Sequence, residues 1–150
     1  MRVSVVGGST VDARVAERTR TLGELLGERG HVVVCGGLGG VMEAVCAGAT
    51  RAGGETVGIL PTADPDDANA YVDTAIATGV GHARNAMVVM NGDAAIAVDG
   101  SHGTLSEIGM ALAHGRVVAG LDTHDVAGVE AVKSPADAVG YVEREVESTR

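Results

Sequence analysis

The sequence contains no phenylalanine and no tryptophan, and its only tyrosines are Tyr71 and Tyr141. A chain so poor in aromatic rings lacks the stacking platforms on which single-stranded nucleic acids are commonly held, which argues against that class of partner. Lysine is nearly absent as well: Lys133 stands alone and the other basic residues are arginines. Acidic residues outnumber basic ones, 20 Asp and Glu against 11 Lys and Arg, for a formal charge of −9 at pH 7. That excess argues against DNA and anionic membranes as non-specific partners. Salt adaptation and a GC-rich genome both produce this acid-rich, lysine-poor balance. No apolar run approaches the ~18 residues of a membrane span. Met1-Arg2-Val3 leads straight into an apolar segment, which is no pattern for a secretory leader, so the cytoplasm is the expected location. The two cysteines, Cys35 and Cys46, have no C-x-x-C spacing and sit in apolar segments, where they read as small buried hydrophobes. The histidines are scattered, so neither a metal site nor a resident cofactor is expected.

What is present is a core vocabulary of Val, Ile, Leu, Met and Ala within a 45% hydrophobic chain of 150 residues, enough for one domain. Short apolar runs alternate with helical patterns. Val3 to Val6, Val32 to Cys35, Thr56 to Leu60, Val72 to Thr78, Ala94 to Val98 and Val117 to Leu121 read as strands. Between them lie helices: one capped by Thr10 and stopped at Gly30, one from Val41 toward Gly53-Gly54, and one over His82 to Met90. A further helix is capped by Thr104 and stopped at Gly115, and a last one opens at Ser134-Pro135. The charged tail from Glu143 to Arg150 is expected to fray, and Thr62 to Ala70 reads as a polar loop. The βαβα rhythm with continuous apolar strands predicts an α/β fold: a single domain over 1–150, doubly wound and Rossmann-like, its mostly parallel sheet covered by helices on both faces.

Three strand-to-helix turns are glycine-rich: Gly7-Gly8-Ser9-Thr10, Gly36-Gly37-Leu38-Gly39-Gly40 and Asp99-Gly100-Ser101-His102-Gly103-Thr104. Turns of this kind lie at the carboxyl edge of a doubly wound sheet, where ligands bind. Glycine lets the backbone come close to a ligand, and helix N-termini offer unpaired N–H groups to a phosphate. The dinucleotide spacing G-x-G-x-x-G is absent, as is the Walker-type G-x-x-x-x-G-K-[ST], so neither a dehydrogenase nor a P-loop ATPase is expected. Glu107 has two readings: it closes a capping box with Thr104, or it is a site carboxylate. Arg84, near a helix start where its charge opposes the dipole, has no local reason to be there, and an anion contact supplies one.

The segments Val5-Val6-Gly7-Gly8-Ser9, Cys35-Gly36-Gly37-Leu38-Gly39-Gly40-Val41-Met42 and Gly58-Ile59-Leu60-Pro61, with Asp99-Gly100-Ser101-His102-Gly103-Thr104-Leu105-Ser106-Glu107, resemble the LOG-like family over nearly the whole chain. The last segment is similar to that family's P-G-G-x-G-T-x-x-E motif, and the branch resembled most includes molybdenum-cofactor carrier proteins. The resemblance implies Glu107 and Arg84 as catalytic residues if the protein is a nucleoside 5′-monophosphate phosphoribohydrolase, with His102 able to protonate a leaving base or standing at the rim. It implies a phosphate site made by Gly8, Ser9, Gly36, Gly37, Leu38, Gly39, Gly40, Arg84, Asn85, Gly100, Ser101, His102, Gly103 and Thr104. The ligand would be a small phosphate-bearing molecule, a nucleotide or pterin phosphate, and the protein a homo-oligomer by analogy with the family. Asp99 replaces the motif's proline, Ser101 its second glycine and Asn85 a lysine; Ala83 stands where a glutamate is usual. These departures favour a binding protein over a hydrolase, and Asp99 sets a carboxylate beside the expected phosphate.

Overall fold

The computed structural model describes all 150 residues, Met1–Arg150. The chain alternates β1 (Arg2–Gly7), α1 (Ala13–Glu28), β2 (Val32–Cys35), α2 (Val41–Arg51), β3 (Thr56–Leu60), β4 (Thr74–Ala77), α3 (Arg84–Met90), β5 (Ala94–Val98), α4 (His102–Ala113), β6 (Val117–Leu121), β7 (Val129–Val132) and α5 (Pro135–Ser148). The strands form one seven-stranded sheet in the order β4-β3-β2-β1-β5-β6-β7, and every pairing is parallel. The order reverses at β1, between β2 and β5, so the glycine turns after those three strands share one edge.

Alternate strand residues feed two apolar layers. Val3, Val5, Val33, Cys35 and Ile96 pack with α1, α2 and α5, while Val6, Val34, Ala95 and Ala97 pack with α3 and α4. Ser4 interrupts the apolar run of β1 on the second face, where its hydroxyl donates to the Val88 carbonyl at 2.7 Å, so burial leaves it satisfied.

Several local expectations are revised. Asp12, not Thr10, caps α1: its carboxylate accepts from the Val15 amide at 2.9 Å. β4 is shorter than the run Val72 to Thr78, because the Asp73 carboxylate accepts from the Thr56 amide at 2.9 Å and occupies the ladder position ahead of it. β7 has no counterpart among the predicted strands. It is a four-residue edge strand whose Glu130 and Ala131 are exposed, too short and too polar to stand out by periodicity. The acidic tail does not fray before Ser148. Val142 and Val146 are buried on α5, and Glu143 takes His31 at 2.7 Å and Arg29 at 2.6 Å.

α1 and α2 touch backbone to backbone. A Cβ at Gly23 would stand 2.1 Å from the Val45 carbonyl oxygen, and one at Gly48 would stand 2.0 Å from that of Arg20. Alanine is the better helix former by ~1 kcal/mol, but overpacking typically costs about 1–3 kcal/mol and here meets backbone that cannot rotate away. Gly48→Ala is therefore expected to lose about 2 kcal/mol net in urea denaturation, whereas a gain in stability would show that the helices are not in this contact.

Candidate functional site

The turns after β1, β2 and β5 converge with the start of α3 around a cleft of about 310 Å³. Of the residues predicted for the site, Ser9, Gly36, Leu38, Arg84, Asn85, Ser101, Gly103, Thr104 and Glu107 line it. Val5, Val6, Gly7, Met42, Pro61 and His82 line it too and were not anticipated. Most of these extend segments already marked by the glycine turns; Val5 and Val6 read simply as core strand, and nothing local separates that role from lining a cleft. The histidine on the cleft is His82, whereas His102 is exposed outside its lining.

The remaining glycines hold loops together rather than face the cleft. The Gly8 carbonyl accepts the Val41 amide at 2.9 Å, and a Cβ at Gly40, where φ is +65°, would lie 2.2 Å from that same oxygen. The first amide of α2 is thereby spent on the neighbouring turn, not on a ligand. A Cβ at Gly37 would strike Leu60 at 2.7 Å, one at Gly100 would strike Thr104 at 2.3 Å, and one at Gly39 would sit 3.5 Å from the Ser9 carbonyl.

Two sets of amides stay open. In α4 the helical ladder begins with the Leu105 amide on the Ser101 carbonyl, which leaves the N–H groups of His102, Gly103 and Thr104 without an intrahelical acceptor. No side chain caps this end. In the turn after β2, the amides of Leu38 and Gly39 donate to no backbone carbonyl.

α4 starts three residues earlier than Thr104 as a cap suggested, with Ser101 at the cap position, because Gly100 at φ +113° turns the chain there. Thr104 is thus a buried residue within the first turn, and Glu107 lies one turn deeper. The capping-box reading of Glu107 fails. Asp99 borders a small recess with Val15, Arg18, Leu121 and Asp122 and is not part of the cleft lining, but its carboxylate stays beside the turn after β1, where a Cβ at Gly8 would lie 3.3 Å from one of its oxygens.

Arg84 is the first residue of α3 and is 7% exposed. One guanidinium nitrogen donates to the Asn85 side-chain oxygen and another reaches the Gly36 carbonyl at a long 3.5 Å, while Nε is buried with no partner. A Cβ at Gly36 would lie 2.6 Å from Nη2, so the guanidinium lies where only glycine leaves room. Burial lowers the affinity of Arg84 for its proton, and Glu107 partly restores it. Glu107 is 8% exposed and forms neither a hydrogen bond nor an ion pair closer than 4 Å. Burial pushes its pKa up to about 7, against the pull of Arg84.

Residues 1–148 match the model of the SLOG cluster4 family. The chain belongs to that family. An uncharacterized protein of Archaeoglobus fulgidus is 44% identical to it over 142 residues, 94% of this chain and 93% of that one. Among solved structures, the molybdenum cofactor binding protein of Rippkaea orientalis superposes with a TM-score of 0.91 at 32% identity, covering 97% of this chain and 96% of that chain. The molybdenum cofactor carrier protein of Chlamydomonas reinhardtii superposes with a TM-score of 0.84 at 28% identity, covering 95% and 96%. The resemblance to the carrier branch of LOG-like proteins is borne out over the whole fold.

The raised pKa makes Glu107 a pH-dependent cost to this SLOG protein. Unfolded, the carboxyl ionises near 4.3; folded, it holds its proton to about pH 7. Its contribution is therefore fully present below about pH 4 and is lost as pH rises to 7, amounting to about 3 kcal/mol of destabilisation above neutrality. In urea denaturation Glu107→Gln is expected to match the wild type in unfolding free energy at pH 4.5 and to exceed it by up to about 3 kcal/mol at pH 8.

Proposed function

We propose that the cleft binds a small phosphate-bearing molecule, a nucleotide or a pterin phosphate, and that the protein is a binding or carrier protein for it. The observation that supports this most is the buried Nε of Arg84, a donor without an acceptor beside amides that also lack one. A buried guanidinium donor left unpaired costs about 1–3 kcal/mol or more, and an oxyanion in the cleft removes that cost. The open start of α4 adds a partial positive charge at the same place. The volume, about 310 Å³, lies at the small end of ligand pockets, which run roughly 300–1,000 Å³, and suits one mononucleotide-sized group. Molybdenum cofactor binding and carrier proteins among the structural relatives support a pterin phosphate as one candidate.

One observation favours a second reading, hydrolysis of the N-glycosidic bond of a nucleoside 5′-monophosphate. Glu107 is held near a pKa of 7 in the cleft that contains Arg84, which suits an acid–base group at neutral pH. In that reading Arg84 anchors the phosphate, Glu107 activates water or offsets charge at the anomeric carbon, and His82 at the rim is placed to protonate the departing base.

Thermal melting and calorimetry with inorganic phosphate, ribose 5-phosphate, AMP and a pterin phosphate test the binding reading. At least one of these is expected to raise the melting midpoint, and Arg84→Gln is expected to weaken its binding by about 10–100-fold; no shift with any of them refutes the reading. Incubation with AMP is expected to release no adenine. Adenine release that is abolished in Glu107→Gln selects the hydrolase instead.

A further inference from the structure

Cys35 and Cys46 do not line the cleft, but each adjoins a residue that does. Cys35 is the last residue of β2, Gly36 beside it lines the cleft, and α2, which carries Cys46, begins where the glycine turn ends. Their sulfur atoms lie 3.5 Å apart, both residues wholly buried. Two small hydrophobes would need no polar neighbours, but here the Gly37 amide donates to the Cys35 sulfur at 3.4 Å. We infer that Cys35 and Cys46 are a redox-active dithiol that peroxide closes into a disulfide, and that this closure reshapes the glycine turn at 36–40.

The two thiols are unlike: the Gly37 amide donates to the Cys35 sulfur at 3.4 Å. The contact between the sulfurs, the Gly37 amide and the Arg84 charge favour a thiolate on Cys35 against burial, while the same contact and burial hold the Cys46 thiol up. The amide donor thus makes Cys35 the nucleophile and leaves Cys46 the proton donor. The Cys35 thiolate attacks one oxygen of hydrogen peroxide, the O–O bond breaks, and a sulfenic acid and hydroxide form. Hydroxide takes the Cys46 proton to give one water, and the Cys46 thiolate attacks the Cys35 sulfur and expels its oxygen as hydroxide, which takes up the proton that Cys35 released and becomes the second water. Two thiols and one peroxide become one disulfide and two waters. Peroxide is close to water in size, and the cleft lining includes Gly36, next to Cys35, and Met42, one helical turn before Cys46 on α2, so a local opening at this wall is the route by which it reaches the buried sulfurs.

A disulfide bond is about 2.05 Å long, so sulfurs now 3.5 Å apart must approach by about 1.5 Å. The Gly37 amide then loses its thiolate acceptor. The movement has a route to the cleft: the Gly37 carbonyl holds the Asn69 amide at 2.9 Å, and the Asn69 side chain donates to the Leu38 carbonyl at 2.9 Å. Leu38 lines the cleft. The disulfide stands on the sulfur geometry alone; only its effect on ligand affinity rests on the binding reading above.

The test is titration of the reduced native protein with hydrogen peroxide. Intact mass is expected to fall by about 2 Da, with neither cysteine alkylated after unfolding, and a thiol reductant is expected to reverse both changes. Amide hydrogen exchange across residues 36–40 is expected to change on oxidation of the wild type. In Cys46→Ala a nucleophilic probe is expected to trap the Cys35 sulfenic acid, with no loss of mass. Phosphate affinity is expected to drop severalfold on oxidation of the wild type only. Two free thiols after peroxide treatment overturn the assignment. A disulfide with unchanged exchange at 36–40 overturns the coupling to the turn. Failure of the reduced protein to bind phosphate counts against the binding reading, while mass and exchange still decide the dithiol.

Discussion

The guanidinium of Arg84 occupies a space that exists only because residue 36 has no side chain. Beside it the turns after β1 and β2 are pinned to one another: the Gly8 carbonyl takes the first amide of α2, and Gly40 comes close enough to allow it. With that amide consumed and Nε of Arg84 left without an acceptor, the open amides at the start of α4 add the positive end of a helix dipole at the same edge. The packing at this edge leaves hydrogen-bond donors without acceptors, the feature on which the proposed binding role rests.

A second cost stands in the same cleft. Glu107 is a nearly buried carboxyl with no hydrogen-bond partner, and the attraction of Arg84 offsets only part of the desolvation. Nothing in core packing requires an acid there, since Ile108 beside it on α4 supplies the apolar contact to the sheet. That penalty lies in the same cleft as the partnerless Nε of Arg84. The chain as a whole carries a formal charge of −9, whereas the cleft lining holds one guanidinium and one carboxyl. A small anion can be held at short range by oriented donors, where a long polyanion would meet the acidic surface first.

Much of this was legible along the chain. The β-branched run Val32 to Cys35, the stops at Gly30 and Gly115, and the Ser134-Pro135 helix start follow from propensity and capping, which act over a few residues. Arg84 was legible for another local reason, a positive charge misplaced at a helix start. The errors share a cause. Thr10 and Asp12 are both competent caps, and the choice depends on the path of the turn. Thr104 was misread as a cap because the turn at Gly100 begins the helix sooner.

The sequence alone determined the class of fold, the positions of the glycine turns and the residue types available to an anion, because periodicity and propensity are properties of neighbouring residues. It could not separate the glycines that face the cleft, such as Gly36 and Gly103, from those that yield to a neighbour's backbone, such as Gly23, Gly40 and Gly48. Nor could it tell that Asp99 borders a separate recess, that His82 replaces His102 at the rim of the cleft, or that Cys35 and Cys46 touch. Tertiary structure decided those matters, because each depends on what the folded chain brings up from elsewhere: the crossing of α1 on α2, the reversal of strand order at β1, and the seating of α2 against β2.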